Sequence, residues 1–313
     1  MRVALLQFAP EPERLGENLA GILTGVERAA ESGAQLLVTP EMCLTGWSLP
    51  RPSVRAGLAE RVSTEAIPAL AEAADRSGVA VVVGGPYPED GQTQANAAIA
   101  VAPGGRSVVY RKVHLFGPER DWWRPGERAV AILEIDRTRV GVSICYDAEF
   151  PEMPRLAALA GADLLVVPAT NMSPYERDQD LIFPTRALEN ELPVLVCNRV
   201  GSERGWTYFG RSLVADARGN IVAQAGGNPE LLVVDIEPAG RGDPNLSYVA
   251  RRRPEVYGPL TRLAKSSAPD DELRPRRFPP QTHVSTVRKD GARITMAAPV
   301  GGRGRRPREV GRG

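Results

Sequence analysis

Cys145 stands at the end of an apolar run that is typical of a β-strand, and a helix-like segment begins shortly afterwards at Pro151. A thiol in this position is exposed over the edge of a sheet, where it can act as a nucleophile. The positive end of the following helix favours thiolate over thiol. Buried cysteines are also common as small apolar side chains, so Cys145 alone does not establish catalysis.

A glutamate and a lysine occupy equivalent places elsewhere in the chain. Glu41 comes just after one strand-like run and Lys112 just after another. Taken singly, each is typical of a solvated surface side chain, but sheet-based enzymes gather their chemistry where strands end. A carboxylate, an ammonium and a thiol form a coherent set, in which the carboxylate acts as base, the thiol attacks and the ammonium neutralises an oxyanion.

Short apolar strands alternate with amphipathic helices up to about residue 264. Ser63 is expected to cap a helix that ends near Arg76, and Gly84-Gly85-Pro86 is expected to end the strand at residues 79–83. Pro103-Gly104-Gly105 indicates a hairpin. This mixture predicts mixed sheets with helices outside, and the strands are numerous enough for two sheets.

The composition is that of an ordinary globular protein. The 313 residues are 42% hydrophobic and 25% charged, which allows one large domain or two. No apolar run approaches the length of a membrane span, and the first strand-like run is broken too soon to be a secretory signal. Three widely spaced cysteines fit neither a disulfide framework nor a metal site, so the cytoplasm is the expected compartment.

The net charge of +1 hides a basic C-terminal segment. Residues 265–313 contain 12 Lys and Arg against 5 Asp and Glu, whereas residues 1–264 contain 27 against 33. The basic segment is rich in Arg, Pro and Gly and shows little apolar periodicity, which is typical of disorder. We therefore expect one domain at residues 1–264 followed by a disordered tail at 265–313.

Three separated motifs around these residues closely resemble those of the nitrilase superfamily of carbon–nitrogen hydrolases, which is defined by a Glu–Lys–Cys triad in this order. The matching segments are Leu37-Val38-Thr39-Pro40-Glu41, Tyr110-Arg111-Lys112-Val113-His114-Leu115-Phe116 and Cys145-Tyr146-Asp147-Ala148-Glu149-Phe150-Pro151-Glu152, with Asn96-Ala97-Ala98 and Arg186-Ala187-Leu188-Glu189-Asn190 as further landmarks. Three ordered motifs are far more specific than any one of them, and the likeness covers roughly residues 1 to 260.

The resemblance implies an α/β fold, a four-layer α-β-β-α sandwich, and protomers that pair at least into a homodimer. It implies a second catalytic glutamate shortly after the lysine, which in relatives helps to position the substrate and to assist proton transfer, and Glu119 is the best match. It also implies catalysis without a metal or an organic cofactor. In the expected reaction Glu41 takes the proton of Cys145 as the thiol attacks an amide carbonyl. Lys112 and the backbone N–H of Tyr146 hold the oxyanion, and a thioester forms.

Four further residues are candidates for contact with the substrate. Tyr146 follows the nucleophile, Asn171 and Met172 follow a strand where relatives line the pocket, and Trp122 follows Glu119. Trp122 could equally lie in a subunit contact. His114 is expected to be structural, Asp147 to be a helix cap or loop anchor, and the other two cysteines, Cys43 and Cys197, to be packing residues.

The pair Tyr146-Asp147, where true nitrilases usually have Trp-Glu, favours amides over nitriles. The pattern is most similar to amidases of small carboxamides, including ω-amides of dicarboxylates. An N-carbamoyl amine or amino-acid hydrolase is the alternative, because it uses the same catalytic residues. A nucleic-acid-binding module acting through the Arg-rich tail is an alternative of another class, but the tail has no interleaved aromatics and residues 1–264 are acidic. A nucleic-acid partner is therefore not expected, and without a membrane-length apolar run neither is a membrane partner.

Overall fold

A computed structural model of the protein describes residues 1–90, 93–238 and 247–262. The strands in this part of the chain are β1 (Arg2–Gln7), β2 (Leu36–Val38), β3 (Ala80–Pro88), β4 (Gln94–Ala102), β5 (Arg106–Arg111), β6 (Ala131–Ile135), β7 (Thr138–Val142), β8 (Leu164–Ala169), β9 (Val194–Asn198), β10 (Val200–Glu203), β11 (Trp206–Phe209), β12 (Leu213–Ala215), β13 (Ile221–Gln224) and β14 (Glu230–Asp235). The α-helices are α1 (Leu15–Glu31), α2 (Pro52–Arg61), α3 (Ile67–Ser77), α4 (Glu119–Trp122), α5 (Glu152–Leu159) and α6 (Glu176–Asn190). A π-helical turn spans Val62–Ala66, and 3-10 turns span Cys145–Glu149, Pro254–Val256 and Gly258–Thr261.

Most strands belong to two six-stranded mixed sheets that pack face to face. The first has the order β14-β1-β2-β3-β4-β5 and the second β13-β12-β9-β8-β7-β6. Contacts of β1 with β9, β3 with β8 and β4 with β6 join the two sheets, while α1 and α3 cover the outside of the first sheet and α5 and α6 the outside of the second. The layers therefore follow the order α-β-β-α, which confirms the expected sandwich.

Alternation along β1 shows how the sequence builds these layers. Val3 and Leu5 belong to the apolar cluster between the sheets, whereas Ala4 and Leu6 belong to the cluster beneath α1 and α3. Successive side chains of a strand point to opposite faces, so a strand covered on both sides must be apolar throughout. This is why the central strands are continuous apolar runs.

The functional groups converge because several strands end at one edge of the sandwich. In the first sheet β2 and β3 are parallel, and β5 runs in the same direction because two antiparallel pairings separate it from β3. In the second sheet β7 and β8 are parallel. The carboxyl ends of parallel strands lie together, so the loops that follow them meet in space.

Three features differ from the sequence-based expectations. The helix α2 was not predicted, and it continues through the π-helical turn into α3, so Ser63 lies inside a helical segment and caps nothing. The strand β3 does not end at Gly84 but runs on to Pro88. The hairpin β10–β11 was also missed, because its four-residue strands have no clear alternation of apolar and polar residues.

The predicted disordered tail at 265–313, with its arginines, lies outside the described residues, and the boundary at 264 stays a prediction. No helix in the described part of the chain is long and apolar enough to span a membrane. The expected homodimer also stays a prediction. The outer faces of α5 and α6 expose four leucines, which are Leu156, Leu159, Leu181 and Leu188.

Candidate active site

Glu41 lies in the loop that follows β2 and is completely buried. Its Oε1 accepts hydrogen bonds from Lys112 Nζ and Asn96 Nδ2, both at 2.7 Å. Its Oε2 accepts one from Thr170 Oγ1 at 2.5 Å. Thr170 follows β8 in the second sheet, so this carboxylate joins the two sheets at their common edge.

Lys112 follows β5 and is 1% exposed, and its ammonium group lies between two carboxylates. Lys112 Nζ is 2.7 Å from Glu41 Oε1 and 2.8 Å from Glu119 Oε2. Burial disfavours the charged amine, but the charges of Glu119 and Glu41 outweigh it and raise the pKa of Lys112 well above its ordinary value. Lys112 is therefore a fixed cation across the physiological pH range.

Glu119 begins the short helix α4 and is also fully buried. Its Oε1 accepts from Asn96 Nδ2 at 2.8 Å and Trp47 Nε1 at 2.9 Å, and its Oε2 accepts from Lys112 Nζ and the backbone N–H of Phe116, both at 2.8 Å. Burial, together with the charge of Glu41, raises the pKa of Glu119 above its ordinary value, although Lys112 and the N–H of Phe116 oppose the shift. Because all four neighbours donate, this geometry holds the ionised carboxylate.

Cys145 opens the 3-10 turn that follows β7, and its φ of 44° lies in the left-handed region. Non-glycine residues rarely adopt this conformation, which turns the chain sharply away from the strand. Its Sγ donates to Asn171 Oδ1 at 3.2 Å. Burial and the charge of Glu41 raise the pKa of the Cys145 thiol well above its usual range, and Lys112 only partly opposes them.

The expectation that a helix N-terminus favours the thiolate is therefore wrong. The helix α5 begins at Glu152, several residues beyond Cys145, and a helix dipole acts strongly only within its first turn. Desolvation has the larger effect on the thiol. The resting side chain is therefore a protonated thiol.

Asp147 anchors the loop that carries Lys112. Its carboxylate accepts hydrogen bonds from the backbone N–H groups of Val113 at 3.2 Å and His114 at 2.6 Å, and from the Tyr110 hydroxyl at 2.8 Å. The His114 ring also lies on this carboxylate, with Nδ1 at 2.9 Å. Asp147 thus ties the nucleophile turn to the lysine loop, as expected of a loop anchor, and His114 has the expected structural position.

A cavity of about 220 Å³ opens beside Cys145 and Lys112. Tyr146, Asn171 and Met172, predicted to contact substrate, all line it. The other lining residues are Trp47, Phe116, Glu149, Thr170, Tyr175, Asp178 and Gln179.

Trp122 is not among the residues that line this cavity. It packs edge to face on Trp47, with ring centroids 5.5 Å apart. The wall that the sequence assigned to Trp122 is formed by Trp47, which α4 supports from behind. Trp47 lies six residues after Glu41 in the sequence, and nothing in its local pattern indicates that its indole N–H reaches Glu119.

Thr170 and Gln179 were also missed by the sequence reasoning. Thr170 donates to Glu41, and Gln179 Oε1 accepts from Asn171 Nδ2 at 2.8 Å, which orients the Asn171 oxygen toward Cys145. The only signal in the sequence was that Thr170 directly precedes the two predicted pocket residues Asn171 and Met172. Within the described residues, no group of three or more His, Cys, Asp or Glu side chains is placed to hold a metal ion.

Gly84 allows the Glu41 loop to lie directly on β3. A Cβ atom added at Gly84 would lie 2.3 Å from the Met42 nitrogen and 2.6 Å from Glu41 Cα, and both neighbours are backbone atoms that cannot swing away. We expect Gly84→Ala to cost about 1–3 kcal/mol of unfolding free energy. Since Glu41 is predicted from the sequence to act as a base, we also expect kcat to fall at least about 10-fold, because small displacements of such a group are costly.

Thermal denaturation and kcat measured on the same preparation check this expectation. Gly57→Ala is the matched control, because Gly57 lies in α2 and an added Cβ there meets nothing within 4 Å. Wild-type values of both quantities in Gly84→Ala would contradict the close approach of the Glu41 loop to β3.

Comparison with known proteins places this geometry in a family. The carbon–nitrogen hydrolase family model matches residues 2–243. The chain is 37% identical to a Pseudomonas protegens protein described as the hydrolase in the pqqF 5′ region, over 84% of this chain and 92% of that protein. It is 33% identical to an (R)-stereoselective amidase of Pseudomonas sp., over 83% and 94%.

Solved structures give the same result. The amidase of Nesterenkonia sp. AN1 is 34% identical and superposes with a TM-score of 0.75, over 83% of this chain and 99% of that chain. One structure of a mutant of that amidase contains acrylamide added to the active-site cysteine. The chain described here therefore belongs to the carbon–nitrogen hydrolases of the nitrilase superfamily, within their amidase-like branch.

Proposed function

We propose that the protein hydrolyses small carboxamides to a carboxylate and ammonia through a thioester on Cys145. The observation that carries this proposal is the arrangement of three groups. The Glu41 carboxylate and the Lys112 ammonium are 2.7 Å apart, and Lys112 and Cys145 line the same cavity. A base, a fixed cation and a thiol thus meet where a small molecule can enter.

In the first step the Cys145 sulfur attacks the amide carbonyl carbon while Glu41 accepts the thiol proton. A C–S bond forms and the carbonyl electrons move onto oxygen. The raised pKa of Cys145 supports this coupling, because little thiolate exists before the substrate arrives. The Lys112 ammonium and the backbone N–H of Tyr146 stabilise the oxyanion.

In the second step the tetrahedral intermediate collapses and the C–N bond breaks. The Glu41 carboxyl returns its proton to the departing nitrogen, so the product is ammonia and the acyl group stays on sulfur. A water molecule then loses a proton to Glu41 and attacks the thioester carbonyl. The C–S bond breaks, the thiolate recovers a proton and the carboxylic acid leaves.

Glu119 acts on this reaction through Lys112 and is a positioning residue in our proposal. It accepts a second hydrogen bond from the ammonium in addition to the one that Glu41 accepts, and the N–H groups of Trp47 and Phe116 fix its carboxylate. Removing one partner of a buried ion pair leaves the remaining charge uncompensated, so two carboxylates hold the buried Lys112 ammonium in place more firmly than one.

The size of the cavity supports a small acyl group. Its volume of about 220 Å³ is below the range of about 300–1,000 Å³ that is common for pockets of drug-sized ligands. A mutant of the related Nesterenkonia amidase has been solved in complex with butyramide, and a four-carbon amide is of the size that fits here.

Ammonia release across simple carboxamides, N-carbamoyl compounds and nitriles tests the proposal, with Cys145→Ala as the blank. Carbon dioxide is measured alongside, because a carbamoyl substrate releases both products. Ammonia from carboxamides without carbon dioxide, lost in the blank, is the expected result. Release of both would support the carbamoyl hydrolase instead, and no release from any carboxamide would overturn the proposal.

A further inference from the structure

Two carboxylates line the cavity and take no part in the reaction proposed above. Glu149 closes the 3-10 turn that begins at Cys145, and Asp178 lies in the first turn of α6. Within residues 1–90, 93–238 and 247–262, neither side chain forms an ion pair within 4 Å or a hydrogen bond. Glu149 is half-buried and Asp178 is exposed, and both line the cavity, on which unpaired carboxylates impose a negative potential.

The cations near Glu149 are already neutralised by other groups. Lys112 lies between Glu41 and Glu119. Arg186 donates to the backbone oxygens of Ala148 and Glu149 and forms its ion pair with Glu189 at 2.9 Å. Three charged side chains therefore line the cavity. Lys112 is paired with Glu41 and Glu119, whereas Glu149 and Asp178 have no cationic partner among the described residues.

Aromatic rings complete the wall next to these carboxylates. Phe116 contacts Tyr146 and Tyr175 edge to face, with ring centroids 5.4 Å and 6.2 Å apart, and all three line the cavity. The face of an aromatic ring attracts a cation within about 6 Å. Carboxylates and aromatic rings that line the same cavity are a combination that can bind an ammonium group.

We propose that the preferred substrates are amides whose acyl chain carries an ammonium group, which Glu149 and Asp178 bind between the rings of Phe116, Tyr146 and Tyr175. This inference rests on the proposed amidase function and narrows its substrate class. It also predicts discrimination, because an acyl chain that ends in a carboxylate would face two like charges. The ω-amides of dicarboxylates are then poor substrates.

The titration of Glu149 adds a dependence on pH. The pKa of Glu149 is raised to about 7, mainly by burial and also by the charges of Asp178 and Glu41, although Lys112 and Arg186 oppose the shift. Glu149 is then largely neutral at pH 6 and largely charged at pH 8. The preference for β-alaninamide and 4-aminobutyramide, whose amines stay protonated in this range, should therefore increase between pH 6 and pH 8. Glycinamide is left out of this comparison, because an α-amine loses its proton at about pH 8.

The test compares amides of equal size and different charge. Glycinamide, β-alaninamide and 4-aminobutyramide are paired with propionamide, butyramide and pentanamide, and succinamate supplies the anion. For at least one pair we expect kcat/KM for the cation to exceed that for its neutral partner about 10-fold, the effect of one partly desolvated charge pair. Glu149→Gln and Asp178→Asn should each reduce that ratio toward one.

Glu176→Gln is the matched control, since Glu176 lies in the same turn of α6 as Asp178 but binds Ser173 Oγ outside the cavity. It should leave the cation-to-neutral ratio unchanged. Calorimetry on Cys145→Ala measures the Kd of each of these amides without turnover, so the affinities of cationic, neutral and anionic amides can be compared directly. It also covers the case in which either carboxylate variant fails to fold.

The outcomes separate the two proposals. Turnover of neutral amides with no preference for a cation, or with a preference for succinamate, overturns the ammonium site and leaves the amidase intact. Selective binding of cations without turnover supports the ammonium site and overturns the amidase. Absence of both turnover and binding overturns both.

Discussion

Replacement of Cys145 by serine is expected to lower kcat for a small carboxamide by about 10⁴-fold or more, the scale on which loss of a nucleophile acts. The hydroxyl occupies nearly the volume of the thiol and can still donate to Asn171 Oδ1. The fold should therefore be preserved. A serine hydroxyl is far less acidic than a thiol, so Glu41 cannot deprotonate it as effectively.

Steady-state kinetics with butyramide and a thermal melt check this result. Cys197→Ser is the matched control, because Cys197 is fully buried and its sulfur bonds to the Leu6 carbonyl oxygen, which a serine hydroxyl can replace. That control should keep kcat within about threefold, as expected for a residue away from the reacting atoms. Substantial turnover in Cys145→Ser would remove the thioester from the mechanism.

Covalent labelling gives a second readout of the same prediction. Cys43 and Cys197 have no exposed surface, whereas Cys145 is 7% exposed and lines the cavity. Acrylamide should therefore add once to the native protein, as measured by intact mass, and not at all to Cys145→Ser. Two adducts on the native protein, or one on the variant, would show that reactivity does not follow access to the cavity.

The proposed catalytic residues were visible in the sequence because strand ends and ordered motifs mark them. Glu41, Lys112 and Cys145 each follow an apolar run, and the observed parallel strand directions bring these ends to one edge. The four-layer sandwich itself came from the family resemblance. Hydrophobic alternation finds strands, but it does not say which strands share a sheet.

The residues that the sequence did not reveal act through contacts between distant segments. Thr170 and Glu41 are 129 positions apart, and Trp47 and Glu119 are 72 apart. No local pattern encodes such a pairing. The helix α2 was missed for a different reason, because its apolar residues are spread around it and give almost no amphipathic face.

The protonation state of Cys145 shows a further limit of sequence reasoning. The sequence places a helix start after the thiol and thus favours the thiolate. Whether burial or the dipole has the larger effect depends on the depth of the sulfur, which only the packed structure provides. In the structure burial and the Glu41 charge raise the thiol pKa, so the proposed mechanism requires a base, and we assign that role to Glu41.

Replacement of the two buried glutamates by glutamine is expected to affect different properties, mainly kcat for Glu41 and mainly stability for Glu119. Glu41→Gln should lower kcat by about 10³-fold, the scale of general acid–base catalysis, with little loss of stability. The glutamine oxygen can accept from Lys112 and Asn96, as Oε1 does now. Its NH₂ group then faces the Thr170 hydroxyl, which can rotate and accept.

Glu119→Gln should lose more stability and less activity. Both of its oxygens accept from two donors, and the N–H groups of Trp47 and Phe116 cannot become acceptors. In either orientation the glutamine NH₂ meets a donor, which leaves buried polar groups unpaired at a cost of about 1–3 kcal/mol. If Glu119 acts only by positioning Lys112, as we propose, kcat should fall no more than about 10²-fold, the scale of a small misplacement.

Thermal melts and kcat for both variants, with KM for butyramide, decide the assignment. The two substitutions remove the same charge beside the same ammonium, so each serves as the control for the other. The expected pattern is crossed, with the larger loss of kcat in Glu41→Gln and the larger loss of melting temperature in Glu119→Gln. Equal losses of kcat in the two variants, or a larger loss in Glu119→Gln, would contradict the assignment of Glu41 as the base.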